Sequence, residues 1–533
     1  MYAMELKSGW PIIYVRGYAM SRAEIDDTTS DPFCGFNIGS TVYRATPDPK
    51  TPARKFIFES PLVRLRSDFE YSDIYRDGVD LNDSDWTGTI PVRSIVIYRY
   101  YEPASTLFGG EGKTPEIEAF ARGLSDLILK VREMVCADPE NDVKAKDFRC
   151  HLVAHSMGGL VCRAFLQNES IGKAEARQCI DKYFTYATPH NGIDMGGVNV
   201  PEWLGSNDIN NFNRDRMAEY LNLKPLYKKT KRVDWIPEET LPSERVFCLV
   251  GTNRSDYEVA AGLSRTFAGN GSDGLVRIAN ASVWGVNARG VFSAPSATAY
   301  VYRSHSGRYG IVNSEESYQN LVRFLFGDVR VDMWVDVSHV SVPQELEAAD
   351  AKGEVDALYQ FEVLASPRGK RWFLTRRVTE EDSVACKDHS ALHKATAKNP
   401  EKIYLSTIFL ANRYKVKEGG KTLAYSLTLG VRVPDYEQNK KFWPDRHYEG
   451  EYLFRDSIVI EMKPPIEPGG DWKVSYNWQK GNVGQSEKPV SAKELKEGKV
   501  QITIPFATGD ETPPRSPGIA GQLRFVISLW NEW

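Results

Sequence analysis

Apolar and polar residues follow two different periods along this chain, and the change of period divides it into two parts. Between residues 11 and about 327, short apolar runs of strand length alternate with longer runs in which apolar positions recur every three or four residues. After about residue 328, apolar and polar positions mostly alternate one by one. The pattern predicts an α/β part followed by an all-β part.

Five strands and three helices are predicted in the first part. The strand runs are "PIIYV" (11–15), "SIVIYRYY" (94–101), "FRCHLVAH" (148–155), "DKYFTYATP" (181–189) and "ERVFCLVGT" (244–252). The helical runs are 114–135, which Thr114 and Pro115 begin well, 158–167 and 314–328. Strands that alternate with helices in this way favour a mostly parallel sheet with helices on both faces.

Two polar insertions interrupt this alternation, at about 19–92 and 195–243. The first is long for a connection between strands, so we expect it to fold over the site or to bind the second domain. The second is expected to be partly helical. Its basic segment "KPLYKKTKR" (224–232) suits either anionic lipid head groups or a solvated helix face.

Residues 329–533 contain about eight strand-length runs with two-residue alternation, separated by clusters of Gly, Pro and charged residues. This spacing predicts an antiparallel β-sandwich. We therefore expect two domains, 1–328 and 329–533. Nothing in the second indicates catalytic chemistry. Its Trp443, Trp472 and Trp478 suit either an interface or the core.

Composition narrows the classes of function. The 533 residues carry a net charge of −4 with a pI of about 6.2, which argues against a nucleic-acid-binding surface. No run is long enough to cross a membrane, and the first residues do not form a secretory signal. Seven scattered cysteines favour a reducing compartment, so the expected location is cytoplasmic, with signal-less export as an effector as the alternative. No metal site or cofactor is expected, because the histidines and cysteines do not cluster along the sequence.

The stretch "HLVAHSMGGLVCRAF" (151–165) carries the candidate chemistry. An apolar strand leads into Ser156, and a helix follows at once, with Gly158 and Gly159 leaving room for close packing. This is the pattern of a nucleophile turn, although Ala154 stands where the usual motif has glycine. The alternative is a serine that only caps a helix.

With its flanking motifs, this stretch resembles the lipases of the α/β-hydrolase superfamily over about residues 11–327. The similar segments are "TYATPHNG" (185–192), "SDGLVRIANAS" (272–282) and "YRSHSGRYGI" (302–311). The resemblance implies Ser156 as nucleophile, Asp273 as acid and His305 as base, in the family's chain order. The positions agree independently, because Asp273 lies between glycines in "NGSDG" (270–274) and His305 follows the alternating strand candidate "TAYVYRS" (298–304).

The resemblance also implies two backbone donors to an oxyanion, the N–H groups of Met157 and Tyr18. In the family, a histidine commonly precedes the glycine that matches Gly17, whereas this chain has Arg16 there. Arg16 either braces the loop by pairing with an acidic side chain or binds a substrate phosphate.

Other residues compete for these roles. His190 is an alternative base that precedes the plausible acids, and Asp194 and Asp256 are weaker acids. His155 should point away from the Ser156 side chain and support the site, and His151 should lie in the core. Because of their places in the sequence, Arg16, Gly17, His155 and His190 are the candidate substrate-binding residues.

The leading hypothesis is a serine hydrolase of carboxylic esters, of lipase or phospholipase type, that acts through an acyl-enzyme intermediate. One alternative is an esterase or thioesterase for a soluble acyl substrate. Another is a hydrolase fold that serves only for binding. The expected partners are a lipid or other acyl ester and, peripherally, a membrane surface. In the resembled lipases, a lid often follows the strand after the nucleophile helix, which implies a lid at 195–243. Some of these lipases also carry a C-terminal β-sandwich that docks on a membrane or on a protein partner, which implies such a contact for 329–533.

Overall fold

The computed structural model describes most of the chain, in two compact units. The described residues are 9–17, 36–44, 54–76, 79–81, 86–100, 116–195, 198–199, 211–254, 271–307, 310–415, 422–438, 446–465, 470–479, 488–509 and 514–531. The first unit comprises 1–298 with 302–325, and the second 299–301 with 326–533. The boundary expected at 328/329 stays a proposal.

The strands of the α/β part are short. In chain order they are β1 (Ile12–Val15), β2 (Ser40–Arg44), β3 (Arg54–Phe58), β4 (Ser72–Asp73), β5 (Tyr75–Arg76), β6 (Val79–Asp80), β7 (Ser94–Ile97), β8 (Cys150–His155), β9 (Ile180–Tyr186), β10 (Asp194–Met195), β11 (Val198–Asn199), β12 (Trp235–Pro237), β13 (Val246–Gly251), β14 (Trp284–Val286), β15 (Phe292–Pro295) and β16 (Ala297–Val301). Its helices are α1 (Pro61–Phe69), α2 (Ile117–Cys136), α3 (Met157–Gln167), α4 (Ala174–Gln178), α5 (Arg214–Tyr220), α6 (Lys224–Thr230) and α7 (Glu315–Phe326).

A seven-stranded sheet organises this unit, in the order β16-β13-β9-β8-β1-β7-β4. The pairs β4–β7, β7–β1, β1–β8, β8–β9 and β9–β13 are parallel. The expected mostly parallel sheet is confirmed, and its five predicted strands are β1, β7, β8, β9 and β13. Strand β8 lies at the centre, so the residue after it emerges at the middle of the sheet's carboxyl edge.

Helices cover both faces of the sheet. Consecutive residues of a strand point to opposite faces. On one face of β9, the Tyr183 hydroxyl donates to the Gly159 carbonyl of α3 at 2.6 Å. On the other, Phe184 contacts Phe247 and the α7 residue Phe324, with ring centroids 4.9 and 6.0 Å apart. Helix α2 (Ile117–Cys136) ends one residue beyond the predicted range 114–135, and α7 (Glu315–Phe326) lies inside the predicted range 314–328. Thr114 and Pro115 lie outside the described residues.

Both insertions contribute to the main sheet or to its core, although their polar composition suggested surface segments. Part of the 19–92 segment forms α1 and β4, and β4 pairs with β7, so it extends the main sheet. The described part of 195–243 is partly helical, as expected, in α5 and α6. Met217 and Tyr220 of α5 are buried in the main core. Residues 196–197 and 200–210 lie outside the described residues, and the role of the segment as a lid stays a proposal.

The second unit is an antiparallel β-sandwich, as predicted. Its strands are β17 (Val329–Ser341), β18 (Val355–Pro367), β19 (Thr375–Arg377), β20 (Ala385–Asp388), β21 (Glu401–Leu410), β22 (Leu423–Arg432), β23 (Asp435–Gln438), β24 (Arg446–Glu449), β25 (Tyr452–Lys463), β26 (Lys473–Trp478), β27 (Lys488–Val490), β28 (Lys493–Glu494), β29 (Val500–Ala507) and β30 (Gly518–Leu529). Short helices α8 (Glu347–Asp350) and α9 (His389–Leu392) join them.

One sheet has the order β21-β17-β30-β29-β28, and the other runs β24-β23-β18-β22-β25-β26-β27, with β19 and β20 also paired to β18. Alternate residues of both sheets form one core. The eight predicted runs correspond to the eight longest strands. Trp472 is buried in this core and Trp478 packs against it, while Trp443 lies outside the described residues. No helix among the described residues is long and apolar enough to span a membrane.

Candidate functional site

Ser156 lies on a sharp turn between β8 and α3. Its backbone has φ 52° and ψ −126°, a region that non-glycine residues rarely occupy. The turn is held on both sides, because the Ser156 N–H donates to the Tyr186 carbonyl at 2.9 Å and the Gly159 N–H donates to the Ser156 carbonyl at 3.0 Å. Such strain costs about 1–3 kcal/mol and persists only where the surrounding structure enforces it. The surrounding structure, rather than the conformational preference of serine, therefore sets the direction of the Ser156 side chain.

Glycines allow α3 to start directly against its neighbours. A Cβ atom on Gly158 would overlap the Val15 and Arg16 carbonyls after β1. On Gly159, it would overlap the Thr188 side chain in the loop after β9. The close packing inferred for these glycines from the sequence is therefore present.

Ser156, His305 and Asp273 form one hydrogen-bonded chain. The Ser156 Oγ is 2.8 Å from His305 Nε2, and the His305 Nδ1 is 2.9 Å from Asp273 Oδ2. All three residues are at least 96% buried. A carboxylate can only accept, so His305 carries its proton on Nδ1 when neutral and leaves Nε2 free to accept from the Ser156 hydroxyl. The arrangement joins a hydroxyl to a base and the base to an orienting carboxylate.

Backbone contacts fix the carboxylate in place. The Oδ1 atom of Asp273 accepts from the N–H groups of Leu275 at 3.0 Å and Val276 at 2.8 Å. The Asp273 carbonyl accepts from the His305 N–H at 2.9 Å. A Cβ atom on Gly251, the last residue of β13, would lie 2.8 Å from the Asp273 Cβ. Asp273 therefore lies at the same carboxyl edge of the sheet as Ser156.

His155 contacts the backbone of His305. Its Nε2 is 2.8 Å from the His305 carbonyl, and since a carbonyl only accepts, this nitrogen carries a proton. Burial, and after it the charges of His305 and Arg16, lower the pKa of His155 to about 3, against the opposing effect of the bond to the His305 carbonyl. A neutral His155 thus braces the loop that carries His305, in agreement with its expected supporting place.

The loop after β1 packs on the nucleophile turn. A Cβ atom on Gly17 would lie 2.8 Å from His155 Nδ1 and 3.0 Å from the Ser156 Cβ. The Tyr100 hydroxyl, which the sequence did not single out, is 2.7 Å from the Arg16 carbonyl and 3.1 Å from that of Gly17. The only sequence signal for Tyr100 was its place at the end of a predicted strand.

The two expected oxyanion donors have different outcomes. Met157 is the first residue of α3, so its N–H has no acceptor within the helix and stands next to the serine. Tyr18 lies outside the described residues, and its role stays a prediction.

Arg16 is partly buried, and its positive charge acts on His155. Both roles of Arg16, bracing the loop and binding a phosphate, stay predictions.

His190 is not brought together with Ser156. It is fully buried, with its Nε2 3.2 Å from the Thr185 hydroxyl and 3.6 Å from the Cys248 thiol. Burial, and after it the charge of Arg163, lowers its pKa well below the usual range. We therefore regard His190 as a residue of the core rather than of the substrate pocket.

Of the remaining competitors, the structure describes the burial of one. His151 is fully buried within β8, in agreement with its expected place in the core. Asp194 belongs to the small β10–β11 pair. Asp256 lies outside the described residues.

Arg163 is a second residue that the sequence analysis missed. Its fully buried guanidinium donates to Gln167 and to the carbonyls of His190, Val233 and Trp235 at 2.7–2.8 Å. It therefore ties the loop after β9 and the 195–243 segment to the helix that begins at Ser156. In the sequence, the feature that could have pointed to Arg163 was its charge within the otherwise mostly apolar run "GGLVCRAFLQ".

Comparisons with known proteins give remote matches to solved structures. No family model and no curated protein matches the chain. The propeptide form of Bacillus licheniformis lipase BlEst2 has 10% identity and a TM-score of 0.31, over 87% of this chain and 96% of that one. Phospholipase PlaB from Legionella pneumophila, in complex with thio-NAD, has 13% identity and a TM-score of 0.29, over 83% and 89%. The lin2722 product of Listeria innocua has 11% identity and a TM-score of 0.26, over 59% and 93%.

The fold can be assigned from the topology itself. A parallel sheet carries a strained serine between a central strand and a helix, and loops of later strands bring an aspartate and then a histidine to it. The first unit of this chain therefore has the α/β-hydrolase fold, and an antiparallel β-sandwich follows it.

Proposed function

We propose that this protein is a serine hydrolase of carboxylic esters, with lipids as its substrates. The observation that supports this most directly is the hydrogen-bonded chain Ser156–His305–Asp273, buried beside a helix N-terminus. Each of these buried polar groups gives up water, and their shared hydrogen bonds offset that cost. A serine bonded to an imidazole that is itself oriented by a carboxylate is the arrangement that activates a hydroxyl as a nucleophile.

In the proposed reaction, His305 Nε2 takes the proton of Ser156 as its Oγ attacks the ester carbonyl carbon. Asp273 holds the imidazole in the required tautomer and stabilises its charged form. The Met157 N–H and, by prediction, the Tyr18 N–H donate to the developing oxyanion. His305 then protonates the departing alkoxide, and water, activated by the same base, releases the acid and restores Ser156.

A surface of mixed character supports a lipid substrate. Val291 and Phe292 at the β14–β15 hairpin are 54% and 48% exposed. At the neighbouring Gly290, a Cβ atom would lie 3.7 Å from Leu226 of α6, so the hairpin packs on the helix that carries the exposed Lys228 and Lys229. Apolar residues beside lysines suit the interface of an anionic membrane.

The nucleophile is tested by labelling with a fluorophosphonate probe. We expect the wild type to be labelled and Ser156→Ala to lose both labelling and ester hydrolysis, the latter by about 10⁴-fold or more. Ser170→Ala, an exposed serine just beyond α3, is the matched control and should behave as wild type. Equal labelling of Ser156→Ala would contradict the proposal.

Lipid preference is tested separately with Lys228→Glu/Lys229→Glu. Each lysine near an anionic surface contributes about 1 kcal/mol, so hydrolysis of anionic phospholipid vesicles should fall about tenfold or more. Hydrolysis of a short soluble ester should be unchanged. Lys144→Glu/Lys146→Glu changes the net charge equally at exposed positions elsewhere. If both double variants lose the same activity on vesicles, this surface does not contact the lipid.

A further inference from the structure

Two histidines and an aspartate of the β-sandwich converge, although they lie far apart in the sequence. Asp350 is the last residue of α8, and His389 and His393 lie at the two ends of one turn around α9. One ligand atom from each lies within 4.8 Å of the others. Along the sequence, about forty residues separate Asp350 from the two histidines, and the pairing of β20 with β18 brings the two segments together.

The local fold orients both imidazoles. The His393 N–H donates to the His389 carbonyl at 2.8 Å, which closes a helical turn and sets the two side chains on one face. The Asp350 carboxylate faces both rings, with Oδ1 2.7 Å from His389 Nε2 and Oδ2 3.3 Å from His393 Nδ1. Three donor atoms of the types that zinc prefers thus point to one place.

The second ring nitrogen of His389, Nδ1, also has a hydrogen-bonding partner. Its Nδ1 is 3.3 Å from the hydroxyl of the fully buried Tyr359, whose ring stacks on the imidazole at 5.9 Å between centroids. A histidine that binds a metal through one nitrogen usually has its other nitrogen hydrogen-bonded in this way, which fixes the tautomer and the ring plane. His389 is 3% exposed, whereas the His393 side chain is 46% exposed and leaves the site open to solvent.

We propose that Asp350, His389 and His393 bind a divalent transition-metal ion of the zinc class. Ligand atoms at about 2.0–2.1 Å from a tetrahedral zinc are about 3.3 Å apart, the separation already present between Asp350 and His393. Binding replaces the proton between His389 Nε2 and Asp350 Oδ1, and small side-chain rotations bring one ligand atom of each residue, now within 4.8 Å of the others, to that spacing. The fourth position is taken by water on the exposed side.

The proposal is tested by zinc binding to the full-length protein after removal of metal with a chelator. By equilibrium dialysis, we expect one equivalent of Zn²⁺ in the wild type and affinity at least about tenfold weaker in His393→Ala. His393 is half-exposed, so its removal should leave the circular dichroism unchanged. His339→Ala, on β17 of the same sandwich, is the control and should bind as wild type.

Two further variants distinguish a metal site from a simple ion-pair cluster. Tyr359→Phe removes only the hydroxyl behind His389 and should weaken binding about 10–100-fold. Asp350→Asn should alter the visible absorption of bound Co²⁺. Ser156→Ala should bind zinc as wild type, so this result is independent of the proposed hydrolase. Absence of binding in the wild type, or equal affinity in wild type and His393→Ala, would overturn the proposal.

Discussion

At the scale of single residues, the turn at Ser156 directs two consecutive side chains to different parts of His305. The positive φ of Ser156 turns its hydroxyl towards His305, while His155, one position earlier, is directed to the backbone of the same histidine. Both sides of His305 are thereby held, the ring by Ser156 and Asp273 and the carbonyl by His155. Placement of the proposed base thus depends on a histidine to which the proposed reaction assigns no step.

His155 should make the first unit sensitive to acid. Its pKa is about 3 in the folded protein, below the value of about 6.5 expected when unfolded. Between these values the unfolded chain binds a proton that the folded chain does not, so stability is complete above about pH 6.5 and falls as the pH decreases. The expected slope from this residue is about 1.4 kcal/mol per pH unit, measured by urea unfolding between about pH 6.5 and pH 4.

His155→Gln keeps a donor for the His305 carbonyl but cannot titrate. We expect its stability to depend on pH less steeply by about one proton, with His190 still contributing in the same direction. His339→Gln in the sandwich is the control and should leave the slope for the first unit unchanged. An unaltered slope in His155→Gln would show that this residue does not carry the effect.

At the scale of elements, α3 has two functional ends. Its first turn approaches β1 and the loop after β9 so closely that only glycine fits at 158 and 159. One turn further on, Arg163 holds three loop carbonyls from within the helix. The helix is therefore the element that joins the nucleophile turn to the 195–243 segment.

Arg163→Met should destabilise the first unit by about 3–5 kcal/mol, because the three carbonyls lose their buried donor and methionine cannot replace it. Thermal unfolding measures the effect. Arg122→Met, at an exposed position of α2, should change stability by less than about 0.5 kcal/mol. A similar small change for both variants would mean that the carbonyls find other donors or water.

At the scale of the whole molecule, two separate cores stabilise the chain. One lies between the parallel sheet and its helices, and the other lies between the two sheets of the sandwich. The candidate ester site belongs to the first unit and the proposed metal site to the second. Each unit has the buried apolar interior that cooperative folding requires.

Calorimetry should therefore show two transitions that respond to different substitutions. Leu152→Ala, in β8, and Leu523→Ala, in β30, each empty a fully buried position and should cost about 2–5 kcal/mol. We expect Leu152→Ala to lower the transition temperature of the first unit only, and Leu523→Ala to lower that of the second unit only. Fluorophosphonate labelling of Leu523→Ala should persist below its own transition, and a single transition lowered equally by both variants would contradict this picture.

Local signals in the sequence determined the sheet types, most of the long strands and the candidate chain Ser156, Asp273, His305. They could do so because side-chain period, glycine content and turn residues act over a few positions, and because motif order survives folding. The polar composition of 19–92 did not reveal that β4 extends the main sheet, because a two-residue strand is too short to show the alternation of apolar and polar residues.

Only the tertiary structure decided which distant groups meet. Tyr100 bonds to the loop after β1, His155 to the His305 carbonyl, and Arg163 to carbonyls up to 72 positions away. Asp350 likewise meets His389 only because α8 and α9 lie at neighbouring ends of sandwich strands. Such contacts depend on how strands and helices pack rather than on any local preference, so no short stretch of sequence encodes them.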